Sequence, residues 1–116
     1  MKRYRPVSLN DDYRWPSGTS RTAAVFAVTP EAVTARIGLA FEAGVDDLDY
    51  FRAVALDLES GRRVLLTWYE RSPVPGLVLE IDGQDDPAAA RAETLEALSL
   101  TLEQVQWIPE PDSPAG

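Results

Sequence analysis

The chain contains neither cysteine nor histidine. Disulfide staples, thiol nucleophiles, thiolate or imidazole metal ligands and every catalytic scheme built on a histidine base are therefore excluded. Lysine is nearly absent, one residue against ten arginines, a bias that together with abundant alanine and leucine suggests a bacterial composition. No run approaches the ~18 apolar residues that span a bilayer, and no apolar stretch follows the basic start Met-Lys-Arg-Tyr-Arg, so a cytoplasmic chain with no membrane association is expected. There is no phosphate-cradling glycine motif, no Ser-X-X-Lys arrangement and no internal repeat.

What is present is acid. Nineteen Asp and Glu against eleven Lys and Arg give a net charge of −8. Residues 1–21 hold five basic and two acidic side chains, +3, which leaves −11 for the rest. Such a body repels phosphates at long range, so direct binding of nucleic acid is not expected. At 116 residues with 45% hydrophobic residues, the chain has the size and composition of one globular domain with a real core.

The punctuation divides the chain into an irregular basic arm (1–21), a single domain (22–108) and a proline-rich, disordered tail (109–116). Thr22 to Val28 is apolar and β-rich, a buried strand. Thr29-Pro30-Glu31 supplies an N-cap, a proline at the first helical position and an acid in the first turn, opening a helix expected to run to Ala43 and stop at Gly44. Arg36 falls on the side of Ala32, Ala40 and Ala43, where it could bridge to a carboxylate. Tyr50 to Glu59 alternates, with Val54, Leu56 and Leu58 on one face and Ala53, Ala55, Asp57 and Glu59 on the other. Ser60-Gly61 reads as a hairpin turn into a strand from Arg62 to Glu70. Leu77 to Asp82 follows as a third strand of a meander. Asp86-Pro87 opens a second helix with a stripe of Ala88, Ala92, Leu95 and Leu98 and with Glu93 and Glu96 facing water. Val105 to Ile108 is a last strand. The expected fold class is α+β: one mostly antiparallel sheet of four to five strands, two helices on one face, order β-α-β-β-β-α-β.

Three constellations bear on function. Asp57, Glu59, Glu80 and Asp82 stand near strand ends, where grouped carboxylates suit a hard cation or divided acid and base roles. The strand pattern alone explains them as a solvated sheet face. The acidic stretches Asp46-Asp47-Leu48-Asp49 and Asp82-Gly83-Gln84-Asp85-Asp86 lack the ligand spacing of an EF-hand and read as loop and cap. Trp68 and Tyr69 are adjacent on one strand and must point to opposite faces; by phase Trp68 joins the core and Tyr69 the acid-bearing side. That side is either a protein-binding surface with aromatic anchors or the place where the arm, carrying Tyr4, Tyr13 and Trp15, folds back.

The leading expectation is a small acidic protein-binding module for a basic protein, of the kind that inhibitors, immunity proteins and antitoxins represent, with Trp15, Asp57, Glu59, Tyr69, Glu80 and Asp82 at the interface. It needs no cofactor and no catalytic residue. The alternatives are a carboxylate-based metal-binding protein or enzyme, and a homo-oligomeric structural subunit, a homodimer through the free sheet face or last strand.

Overall fold

A computed structural model describes residues 4–9, 13–45, 50–72 and 75–109. Strands β1 (Tyr4–Val7) and β2 (Ser20–Phe26) precede helix α1 (Pro30–Ile37); strands β3 (Glu42–Val45), β4 (Tyr50–Leu58), β5 (Arg63–Tyr69) and β6 (Leu77–Asp82) lead to helix α2 (Pro87–Ala97), and a 3-10 turn at Leu102–Gln104 leads into β7 (Val105–Trp107). The strands form one antiparallel sheet in the order β1-β4-β5-β6-β2-β7, with β3 also paired to β4. The α+β class, the antiparallel sheet and the two helices agree with the sequence reading; the sheet has seven strands rather than four or five.

Both extra strands belong to one edge. β1 pairs with the Ala55–Leu58 half of β4, and β3 with the Tyr50–Ala53 half, so two four-residue strands share one side of a nine-residue one. Neither carries a period of its own. Pro6, which lacks a ladder donor, is admissible because β1 is an outer strand. The segment read as an irregular arm therefore contributes a strand. The expected disordered tail falls, apart from Pro109, outside the described residues, as do Asp46 to Asp49.

Helix α1 begins as the sequence implies, with Thr29 Oγ1 accepting from the Ala32 amide at 3.1 Å and Pro30 in the first turn. It stops six residues before the expected end. Gly38 takes φ +75° and its amide closes on the Thr34 carbonyl at 2.8 Å, a left-handed cap that ends the helix ahead of Gly44. Beyond it Leu39 turns into the core and the chain becomes β3. Arg36 donates to the Ser99 carbonyl at 2.7 Å and, among the described residues, bridges to no carboxylate.

Asp86 caps α2 at the Ala89 amide. Its buried positions are Ala90, Thr94, Leu95 and Ala97, followed by Leu98, whereas Ala88 and Ala92 are exposed. Alanines at five positions of the helix carry too little contrast to set a phase. The stripe turns on Thr94, which buries completely because its hydroxyl donates to the Ala90 carbonyl at 2.7 Å. Glu93, expected to face water, accepts from the Ser60 hydroxyl and from Arg62 (2.9 Å) and pins the β4–β5 turn to α2. In that turn Gly61 adopts φ +96°, as the sequence implied.

The core lies between the sheet and the helices. Val54, Leu56, Leu58, Val64, Leu66, Leu77, Leu79, Ile81 and Phe26 form one buried cluster with Val33, Ala90 and Leu98, and Trp68 packs against it from the edge as its phase required. Arg91 reaches over to the Ala23 carbonyl at the β-bulge in β2, supplying a partner where the ladder shifts register.

Candidate functional site

By alternation, the face turned from the helices carries Asp57, Ala55, Ala53 and Phe51 on β4, then Arg63, Leu65, Thr67 and Tyr69 on β5, then Glu80 and Val78 on β6. Its two ends differ in chemistry.

At one end the register sets Arg5 opposite Asp57 and Asp57 opposite Arg63. Arg63 forks onto the carboxylate, Nε to Oδ1 at 2.9 Å and a terminal nitrogen to Oδ2 at 3.2 Å, while Arg5 reaches Oδ2 at 3.0 Å. These guanidinium hydrogen bonds hold the Asp57 carboxyl below the usual carboxylate range, Arg63 contributing most, against partial burial. Arg63 also donates to the Arg14 carbonyl at 2.9 Å, and its guanidinium lies 5.5 Å from the centre of the Tyr13 ring. Tyr13 meets Trp15 edge-on, centroids 5.8 Å apart. The arm is fastened further along by the Ser17 amide, which donates to Asp82 Oδ2 at 2.8 Å; Asp82 Oδ1 accepts from the Gln84 amide at 2.9 Å. Those backbone donors, Ser17 first, lower the Asp82 pKa.

Glu80 sits opposite Leu65 and Thr22, half-buried and with no hydrogen bond from its side chain among the described residues, and burial raises its pKa. The Tyr13 hydroxyl is buried without a hydrogen-bond partner among the described residues; desolvation foremost, then the charges of Asp57 and Glu80 against the opposing influence of Arg63, push the phenol up to about 12. An open cleft of about 770 Å³ lies beside this assembly, lined by Tyr4, Arg5, Arg14, Trp15, Asp57 and Glu59 among others.

At the other end Phe51 and Tyr69 face each other across the β4–β5 ladder, centroids 6.0 Å apart. The Phe51 ring lies flat over Gly44, where a Cβ would come within 2.6 Å of Cζ. On the opposite face of the same β3–β4 hairpin, the Val45 and Tyr50 pair is 65% and 61% exposed, and Tyr69 is 38% exposed. Arg52 fixes this end to α1: its guanidinium bonds Glu31 and, at 2.9 Å, Glu70.

Of the six residues expected at an interface, the structure thus gathers Trp15, Asp57, Glu59, Glu80 and Asp82 at one end and sets Tyr69 at the other. Asp57 and Asp82 are engaged by cations and amides of the chain itself. Among the described residues no three carboxylates are placed to hold a metal ion, and no helix among them is long and apolar enough to cross a membrane. Sequence reasoning passed over Arg5 and Arg63, although Arg63 stands in phase with Leu65 and Tyr69, and over Val45 and Tyr50, which flank the Asp46–Asp49 stretch. Neither the sequence, compared with family models and curated proteins, nor the structure, compared with solved structures, finds a match.

Proposed function

We propose that this chain is a binding module for a basic protein, and that it docks through the end of the β3–β4 hairpin. The observation that carries the reading is a pair of exposed apolar groups, Val45 and Tyr50, that brackets an acidic stretch of sequence. Val45 and Tyr50 are the two most exposed large apolar residues of β3 and β4, Tyr69 lies on the reverse face, and the sequence between Val45 and Tyr50 is Asp-Asp-Leu-Asp. Tyrosine has an apolar body and a polar tip, so it gains contact area while keeping a hydrogen bond, which is why it dominates interface hot spots. Three aspartates in the four residues of sequence before it, on a chain of net charge −8, favour encounter with a cationic surface and penalise an acidic one. The Arg52 bridges to Glu31 and Glu70 fix the start of β4 against α1 and the end of β5, reducing the ordering cost of association there. A neutralising role toward a basic protein, as an inhibitor, immunity protein or antitoxin plays it, fits this surface.

The test is affinity capture from the source cell at low salt, wild type beside a Tyr50→Ala/Tyr69→Ala chain of unchanged circular dichroism. The reading expects a stoichiometric basic protein held by the wild type, released by salt, and bound more than about tenfold more weakly by the double variant. Equal capture by both chains would refute the location; an acidic or absent partner would refute the class.

A further inference from the structure

We propose that segment 13–17 is a strap over the helix-free face of the sheet and that Glu80 beneath it sets its closure: the neutral carboxyl lets the strap close and the ionised one loosens it. The strap lies at the opposite end of that face from the hairpin surface and is independent of that reading. Two polar groups are covered here without satisfying each other. The Tyr13 hydroxyl is buried and the Glu80 side chain half-buried, and neither has a hydrogen-bond partner among the described residues. Glu80 is near enough for its charge to act on the Tyr13 phenol. Across the ladders it meets uncharged Leu65 and Thr22. The charged groups around it are bonded elsewhere. Asp82, two residues along β6, accepts from the Ser17 and Gln84 amides. Arg63 on β5 is forked onto Asp57 and donates to the Arg14 carbonyl. Arg14 donates to the Tyr13 carbonyl at 2.7 Å, and Arg21 on β2 to the Asp85 carbonyl at 2.9 Å.

A carboxyl covered without a partner is better covered as the acid, because desolvation penalises only the charged form. Burial accordingly raises the Glu80 pKa. Below the ordinary value of 4.5 the group is neutral whether covered or not, and closure is at full strength; as pH rises through the covered value that strength is lost. Linkage fixes the size of the loss at about tenfold in the closing equilibrium for each pH unit by which the covered value exceeds the uncovered one. The strap is also built to move as a unit. Tyr13 and Trp15 stand outside the buried cluster of the core. They lean on each other and on the Arg63 guanidinium, and the Ser17 amide ends the strap on Asp82. From Thr19 onward the chain is anchored, the Thr19 carbonyl accepting from Gly83 at 3.0 Å and Ser20 opening β2 opposite Asp82. Between the two, Gly18 takes φ +83°, a turn that marks the hinge.

The experiment measures hydrogen-exchange protection of the Ser17 amide in the full chain labelled with ¹⁵N, from pH 4 to pH 8, against the Val64 and Leu66 amides of β5. Asp82, which holds that amide, has a lowered pKa and stays ionised across the window. The strap predicts that Ser17 protection falls several-fold as pH rises while Val64 and Leu66 keep theirs. In a Glu80→Gln chain, neutral at every pH, Ser17 protection should hold at its acid value. A Glu59→Gln chain, altered at the other side of Trp15 where Glu59 lines the cleft, should follow the wild type. Constant Ser17 protection in the wild type would overturn the proposal without recourse to any variant. So would a fall that survives in Glu80→Gln, one that disappears in Glu59→Gln, or an equal fall at Val64 and Leu66, which would mean that the whole sheet opens.

Discussion

Replacing Tyr13 by phenylalanine deletes one oxygen and leaves the ring, its edge-on contact with Trp15 and the Arg63 guanidinium above it. The deleted hydroxyl is buried and has no hydrogen-bond partner among the described residues. A polar group stranded in this way costs about 1–3 kcal/mol, and because the residue as a whole is only half-buried the lower end applies, about 1 kcal/mol. The substitution should therefore stabilise the fold, by about 4 °C in melting temperature for a chain of this size. Tyr13→Leu should instead lose the ring interactions and destabilise by about 1 kcal/mol. The pH dependence adds an independent signature. The phenol titrates at 10 in the unfolded chain and near 12 when folded, so the wild type loses stability as pH rises from 10 to 12. The phenylalanine chain lacks that loss, and the gap between the two should widen over that interval. Urea unfolding at pH 7 and at three points above pH 9 measures both effects. A Tyr13→Phe chain less stable than wild type at pH 7 would refute the reasoning, since it would mean that the hydroxyl has a partner and that the arm does not lie as described.

Asp57→Asn should destabilise by about 1–2 kcal/mol at pH 7, most of it from the part-buried Arg63 fork and little from exposed Arg5. Because the folded pKa lies below the ordinary 3.8, that contribution is complete above pH 5 and lost as pH falls through the folded value, so the gap between the two chains' melts should be smaller at pH 2 than at pH 7. Glu80→Gln should act with the opposite sign: burial raises the folded pKa above 4.5, the wild type loses stability as pH rises through that window, and the variant should be the more stable at pH 7 and no more stable at pH 3. Gly44→Ala should cost about 1–3 kcal/mol and shift the Phe51 and Tyr69 ring resonances, because its Cβ displaces the Phe51 ring; unmoved rings would contradict the packing described for the hairpin end.

The elements that repeat with strong contrast were legible from the residues alone. Leu77 to Asp82 alternates cleanly and is β6 residue for residue, Thr29-Pro30 and Asp86-Pro87 start both helices, and the division of Trp68 and Tyr69 between the two faces follows from their adjacency. Three features were not. β1 and β3 exist because β4 offers nine residues of ladder to pair with, a tertiary cause that leaves no apolar period in four residues. The α1 end was misplaced because apolar spacing runs on through Gly38, while the left-handed preference of that glycine decides the matter locally. The α2 phase was misread because a threonine that bonds its own helix counts as polar in sequence and as core in the fold. The same holds for the candidate sites. Acids at strand ends could be seen, but that Asp57 is gripped by Arg5, 52 residues away in sequence, required the sheet. The exposed Val45 and Tyr50 pair emerged only once β3 was known to end at Val45 and β4 to begin at Tyr50.

The central claim is that a basic partner meets the hairpin end and not the acids at the far end of β4. The most direct test is the association rate of the captured partner with three chains, wild type, Asp46→Asn/Asp47→Asn/Asp49→Asn and Asp57→Asn, as a function of salt. The account predicts that the triple variant associates several-fold more slowly at low salt with a flattened salt dependence, while Asp57→Asn follows the wild type. A slowed Asp57→Asn chain beside an unaffected triple variant would contradict it.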